Sequence, residues 1–286
     1  MIAWSRLVAV LLLSFLAIPV QAATPDGVKV LRDVAYGPAK LQTMDVYLPS
    51  NAKAAPVILM VHGGAWRIGD KRHPPVFENK VARWVPKGFI FVSVNYPMVP
   101  ESDPVEQADD IARALAAAQA AAPGWGGDPA RFILMGHSAG AHLVSLLNAD
   151  PSRTTRLGAK PWLGTVSLDS GALDVPEIMT HRHARLYDEA FGDDPALWQA
   201  SSPIHHLTED SPPWLGVCSS NRRTSCNTNE TYAAKSAQLG TRAKTLGEPL
   251  SHGEINAELG KPGAYTDAVE AFMSSLDSSV AGLLER

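Results

Sequence analysis

The chain has 286 residues, 45% of them hydrophobic and 19% charged, with a formal net charge of −4. That composition suits one large folded domain with a sizeable core and excludes a disordered or fibrous chain. It shows no basic stripe or Lys/Arg cluster, so nucleic acid is excluded as a partner.

Residues 1–22 read as a secretory leader that is separate from the fold. Arg6 is a lone positive charge, Leu7 to Ile18 is an apolar run too short to span a bilayer, and Val20-Gln21-Ala22 is a small-residue cleavage pattern. No cysteine follows the cut to carry a lipid, and no later segment is long and apolar enough to span. The expectation is an exported protein, periplasmic or secreted, with no stable membrane anchor and its folded domain at 23–286. Only Cys218 and Cys226 are present. In an exported chain, two cysteines closing a short loop are expected to be bonded.

Strand and helix patterns alternate from Val28 onward. Val28–Ala35 and Gln42–Leu48 read as two antiparallel strands at the start. Pro56–Val61 and Phe89–Val94 are continuous apolar runs, as expected of strands buried on both faces. Val76–Lys87 fits a helix that Gly88 ends. Pro104–Ala121 fits another, with proline near its first turn and an alanine-rich body. Phe132–Met135, Leu163–Leu168, Pro213–Val217 and Lys244–Leu250 read as further strands. Helices are expected at Ala141–Asn148, Thr228–Leu239 (with Asn or Thr as cap) and Tyr265–Leu276. This alternation predicts an α/β fold, a mainly parallel sheet with helices on both faces. The irregular stretch 171–213, with a helix expected at Pro176–Ala190, reads as a small cap insertion over the mouth of the site.

The chemistry is concentrated at Gly136-His137-Ser138-Ala139-Gly140. This is a G-x-S-x-G elbow between a short apolar strand and a helix, a turn that pushes the serine oxygen out of the sheet. Small residues at Gly136, Ala139 and Gly140 let the turn close. A serine hydroxyl needs a base, an acid to orient that base, and donors for the oxyanion. His62-Gly63-Gly64-Ala65-Trp66 follows a buried strand as a loop whose amides face developing negative charge. Gly64 and Ala65 are the expected donors, with Ala139; Gly63 is the alternative to Ala65, and Trp66 is expected to wall the substrate pocket. The base should come late in the chain. His252, in Leu250-Ser-His-Gly-Glu-Ile-Asn256, lies in an expected loop between the last strand and the last helix. His142 reads as packed, His205 and His206 as structural. His181 and His183 lack the further ligands a metal site needs.

Taken together, His62-Gly-Gly-Ala-Trp66, Asn95-Tyr-Pro97, Gly136-His-Ser-Ala-Gly140 and Ser251-His-Gly-Glu-Ile-Asn256 resemble the α/β-hydrolase superfamily. The similarity points to small carboxylesterases related to the hormone-sensitive-lipase and arylformamidase groups, and covers nearly all of 23–286. It implies the α/β-hydrolase fold and an acyl-enzyme on Ser138, formed from a small-molecule ester, with no metal and no cofactor. It implies no oligomeric state.

Members of that superfamily usually carry the acid after the strand that here is Pro213–Val217. This chain has Cys218-Ser-Ser-Asn-Arg-Arg-Thr-Ser-Cys226 there, with Arg222 near the expected aspartate. Asp169, after the preceding strand, is the leading candidate, because some lipases of the superfamily place their acid there. Glu230 and Glu254 stay open as alternatives, with Asn221 as a neutral orienter; Asp174 reads as a helix cap. Two other functions stay open: amide or formamide hydrolysis at the same site, and a non-catalytic binding protein on a disabled hydrolase fold.

Overall fold

Apolar runs with β-branched residues build the centre of the molecule. The computed structural model describes residues 27–286; the expected leader lies outside them. The chain order is β1 (Lys29–Ala35), β2 (Thr43–Leu48), β3 (Ala55–Val61), α1 (Pro74–Trp84), β4 (Ile90–Val94), α2 (Pro104–Ala121), β5 (Gly127–His137), α3 (Ala139–Ala149), α4 (Pro151–Arg156) and β6 (Gly164–Leu168). Then follow α5 (Val175–Met179), α6 (Arg185–Phe191), α7 (Pro195–Ala200), α8 (Pro203–His206), β7 (Trp214–Ser219), α9 (Arg223–Gln238), β8 (Ala243–Glu248), α10 (His252–Ala257), α11 (Ala264–Ser274) and α12 (Ser278–Leu284).

The described strands form one eight-stranded sheet in the order β1-β2-β4-β3-β5-β6-β7-β8. β2 is antiparallel to both its neighbours, and every pairing from β4 to β8 is parallel. Side chains alternate across each strand, so both faces are covered. Val57, Leu59 and Val61 of β3 join a cluster with α2 and α3, while Ile58 and Met60 join another with α1 and α11. Among the described residues no helix is long and apolar enough to cross a membrane.

The strand order decides where a site can form. After β3 the chain crosses to β4 on one side, then returns to β5 on the other. The loops leaving β3 and β5 therefore open onto one crevice at a switch point of the sheet. Those loops carry His62–Trp66 and Ser138.

Several elements differ from the sequence reading. The helix expected over Pro176–Ala190 is two, α5 and α6. Thr180 Oγ1 donates to the Pro176 carbonyl at 2.7 Å and His181 Nδ1 to the Glu177 carbonyl at 2.8 Å. The Pro176 carbonyl still accepts from the Thr180 N–H at 3.0 Å, but the Glu177 carbonyl is taken by the His181 ring while the His181 N–H turns to the Ile178 carbonyl at 3.2 Å, which ends the helix. The stretch 171–213 holds α5 to α8, all short. α9 starts at Arg223, five residues before the expected Thr228, and its N-cap Arg222 makes no side-chain cap bond, so the expected Asn or Thr cap is absent. Cys226 is therefore helical, and its disulfide with Cys218 ties the first turn of α9 to β7 instead of bracing a free loop. His252 is the first residue of α10, where a loop was expected. Ser251 caps that helix and Glu254 returns the bond in a capping box, the reciprocal pairing that Ser-x-x-Glu supports.

Candidate active site

The elbow is tight because two loops touch. Ser138, the N-cap of α3, has φ 56° and ψ −117°, a strained position for a residue with a Cβ. Its N–H donates to the Leu168 carbonyl of β6 at 2.9 Å. A Cβ on Gly63 would lie 2.8 Å from Ser138 Cβ, and one on Gly140 would lie 2.3 Å from the Val61 carbonyl oxygen. Only glycine at these positions lets the β3 loop lie against the elbow.

Ser138 Oγ is 3.0 Å from His252 Nε2, and His252 Nδ1 is 2.6 Å from Asp169 Oδ2. Asp169 comes from the turn after β6, held with φ 54° by its own N–H bond to the Val217 carbonyl, 2.7 Å away. Its side chain is buried. Oδ1 accepts from the Ser219 N–H at 2.9 Å and from Ser225 Oγ at 2.6 Å. Burial by itself would raise this carboxyl. The bonds from His252, Ser219 and Ser225, with the charge of Arg222, outweigh it and hold the group well below the usual carboxylate range. With Asp169 ionised, His252 donates through Nδ1, which leaves Nε2 as the acceptor facing Ser138.

The alternative acids lie elsewhere. Glu254 accepts from the Ser251 N–H at 2.8 Å, and Glu230 and Asn221 are exposed. Asp174 caps α5 by accepting from the Glu177 N–H.

The loop after β3 lines the other side of the crevice. Ala65 and Trp66 have φ of 52° and 59°, and Gly64 has φ 120°. Trp66 is buried, and its Nε1 donates to His142 Nδ1 at 3.0 Å. His142 Nε2 in turn donates to the Ser201 carbonyl at 2.7 Å. Gln107 Nε2 donates to the Trp66 carbonyl at 2.9 Å. Asn95 fixes the end of the same loop, accepting from the Lys71 N–H at 2.6 Å and donating to Asp70 Oδ2 at 2.8 Å. A cavity of about 250 Å³ joins these parts, lined by Ala65, Trp66, Ser138, Ala139, Tyr187 and His252 among others. The amides of Gly64, Ala65 and Ala139 donate to no other described residue. Ala65 and Ala139 border the cavity; Gly64 and the alternative Gly63 do not.

Two contacts at the site went unassigned in the sequence. His137 is buried; its Nε2 donates to the His252 carbonyl at 2.9 Å, and the two rings lie 4.6 Å apart. Burial first, then the neighbouring His252, pushes its pKa down to about 3. Its only signal was its place inside the elbow. Arg222 puts Nη1 2.5 Å from Asp169 Oδ2 and 2.7 Å from His252 Nδ1. Its signal was a cation at the position where the superfamily usually has the acid. α10 itself is pinned to α1, because Lys80 Nζ donates to the Asn256 carbonyl at 2.6 Å and to Asn256 Oδ1 at 2.9 Å.

Comparison with known proteins agrees with this geometry. The family model described as BD-FAE matches residues 44–160. Esterase B from Lactobacillus rhamnosis superposes with a TM-score of 0.69 at 18% identity, covering 92% of this chain and 88% of that one. The chain has the α/β-hydrolase fold. Esterase LipQ of Mycobacterium tuberculosis is 31% identical to this chain over 198 residues, 64% of this chain and 47% of LipQ. A probable isoprenylcysteine alpha-carbonyl methylesterase of Oryza sativa subsp. japonica is 23% identical over 280 residues, 90% of this chain and 66% of that protein. The chain therefore spans about half to two thirds of the length of these relatives.

Proposed function

We propose that this protein is an exported serine hydrolase that cleaves small carboxylic esters. The observation that carries the reading is the continuous hydrogen-bonded series from Ser138 Oγ through His252 to Asp169, opening onto a cavity bordered by unengaged amides. The esterase names of the relatives support the same reaction class. In the first step Ser138 Oγ bonds to the ester carbonyl carbon as its proton passes to His252 Nε2. The amides of Ala65 and Ala139 meet the oxyanion, with Gly64 as a further donor. Asp169 balances the charge on the imidazolium. His252 then gives that proton to the alcohol oxygen as the C–O bond breaks. Water attacks the acyl carbon, loses a proton to His252, and the acid leaves as the proton returns to Ser138 Oγ. The cavity, about 250 Å³, is smaller than the roughly 300–1,000 Å³ of sites that hold drug-sized ligands, which favours short acyl groups. Export is supported by the disulfide and by the leader pattern in residues 1–22.

Labelling with a fluorophosphonate tests the reading. It should modify Ser138 and stop p-nitrophenyl acetate turnover, and Ser138→Ala should lose both label and turnover. A folded wild-type protein that takes no label would favour a binding protein on a disabled hydrolase fold.

A further inference from the structure

We infer that Arg222 is a specificity-determining residue that directs this site toward esters carrying a carboxylate; the inference rests on the hydrolase reading above. Two N–H donors, His252 Nδ1 and Arg222 Nη1, converge on the same oxygen, Asp169 Oδ2, at 2.6 and 2.5 Å. They stand 2.7 Å apart. The other carboxylate oxygen is already taken by Ser219 and Ser225. While His252 is neutral, the guanidinium is the cation that balances Asp169. Once His252 accepts the serine proton, two cations share one carboxylate, and each weakens the other's hold on it. A second anion next to Arg222 removes that penalty.

Arg222 is placed to meet such an anion. Its side chain is 40% exposed although the Asp169 side chain beside it is 0% exposed. It lines the cavity of Ser138 and also a neighbouring cavity of about 300 Å³ under α5 and α6, and Tyr187 borders both. Only Nη1 is engaged among the described residues, which leaves the Nε–Nη2 edge of the fork unbonded. That edge matches a carboxylate in a paired, charge-assisted contact. The second cavity adds another cation, Arg182, which pairs with no described acid. The same cavity also holds two carboxylates: Asp174, which accepts from the Glu177 N–H at 3.2 Å, and Glu177, a largely exposed side chain; an anion is therefore held by direct contact with the Arg222 fork and not by a net positive field. The substrate class is thus a small ester whose acyl or alcohol half bears a free carboxylate. The contact should express itself in turnover as well as in binding, because it relieves the imidazolium formed during reaction.

Matched ester pairs test this. 4-Nitrophenyl hydrogen adipate against 4-nitrophenyl hexanoate places the charge on the acyl half. 4-Acetoxybenzoate against 4-acetoxybenzamide places it on the alcohol half. In wild-type protein the ratio of kcat/KM, anionic over neutral, should exceed that of Arg222→Gln by about tenfold or more for at least one pair, the size expected of a charge-assisted hydrogen bond. Arg222→Lys, which keeps the charge and loses the fork, should fall between. Arg182→Gln should lower the ratio through KM alone. A ratio that Arg222→Gln leaves within about twofold, in a variant whose Ser138 still takes the fluorophosphonate, overturns this inference and leaves the hydrolase reading standing; an unlabelled Ser138 in wild type overturns both. Should Arg222→Gln not fold, the wild-type ratio between about 0.05 and 1 M salt decides, since screening must erode a charge preference. A ratio that salt does not move overturns it.

Discussion

Asp169 stores strain and charge at one position. It combines φ 54°, a side chain with no exposure and donors on both oxygens. Its place beside His252 was only partly legible in the sequence. Asp169 stood out because the turn after β7, where an acid was expected, holds Arg222. Nothing local separated it from Glu254 or Glu230, since proximity to His252 depends on the pairing of β6 with β7. Ser219 N–H and Ser225 Oγ would still bond an amide oxygen, so Asp169→Asn should keep the fold. The amide cannot balance an imidazolium, and its NH₂ competes with the Nδ1 proton. We expect kcat to fall by about 10⁴, as when other orienting acids are lost, with an unchanged circular dichroism spectrum. A loss under about tenfold would remove Asp169 from the mechanism proposed above.

At the level of elements, the strands buried on both faces were legible, because continuous apolar runs leave few other conformations. β3, β4 and β6 lie within a residue or two of their expected bounds. α2 matches its expected range, started by Asp103 in a capping box with Glu106. Short helices were less legible. α5 to α8 each span too few residues for periodicity to register, and the split after Thr180 depends on one side chain, His181, that takes the Glu177 carbonyl. The capping box before α10 was written in Ser251 and Glu254, yet a helix this short has little other signal. The start of α9 matters most for the site, because its first turn carries Ser225 and its N-cap is Arg222, both against Asp169. The disulfide anchors that turn to β7. Replacing both cysteines with serine should cost about 2–3 kcal/mol by chain entropy, read from the urea midpoint. It should also lower ester turnover more than a mutation of equal cost in α12. If stability falls while kcat/KM is unchanged, the disulfide does not order the acid's surroundings.

Across the whole molecule, three histidines are buried around the crevice and held neutral. Burial lowers the pKa of His62 to about 4, of His137 to about 3 and of His142 to about 4. In the unfolded chain such groups take up protons near pH 6.5, roughly the ordinary histidine value. Below that pH the unfolded state binds more protons than the folded one, so stability falls as pH falls, by up to about 1.4 kcal/mol per unit for each histidine. Above it their contribution is fully present. Asp45, lowered to about 2 against its burial by bonds from Arg72, Asp33 and Arg32, adds a further loss only below about pH 3.9, the ordinary aspartate value. The urea midpoint should therefore drop steeply from about pH 6 to 4; a midpoint constant over that range would mean these rings are not buried neutral in solution. Taken alone, the sequence determined the mainly parallel sheet, the elbow at Ser138, the glycine loop at Gly63–Gly64 and the late histidine, because each is written in local pattern and turn chemistry. Only the tertiary structure decided that Asp169, Arg222 and His137 meet at His252. Those contacts join residues 30 to 115 positions apart, and strand order, not local sequence, brings such positions together.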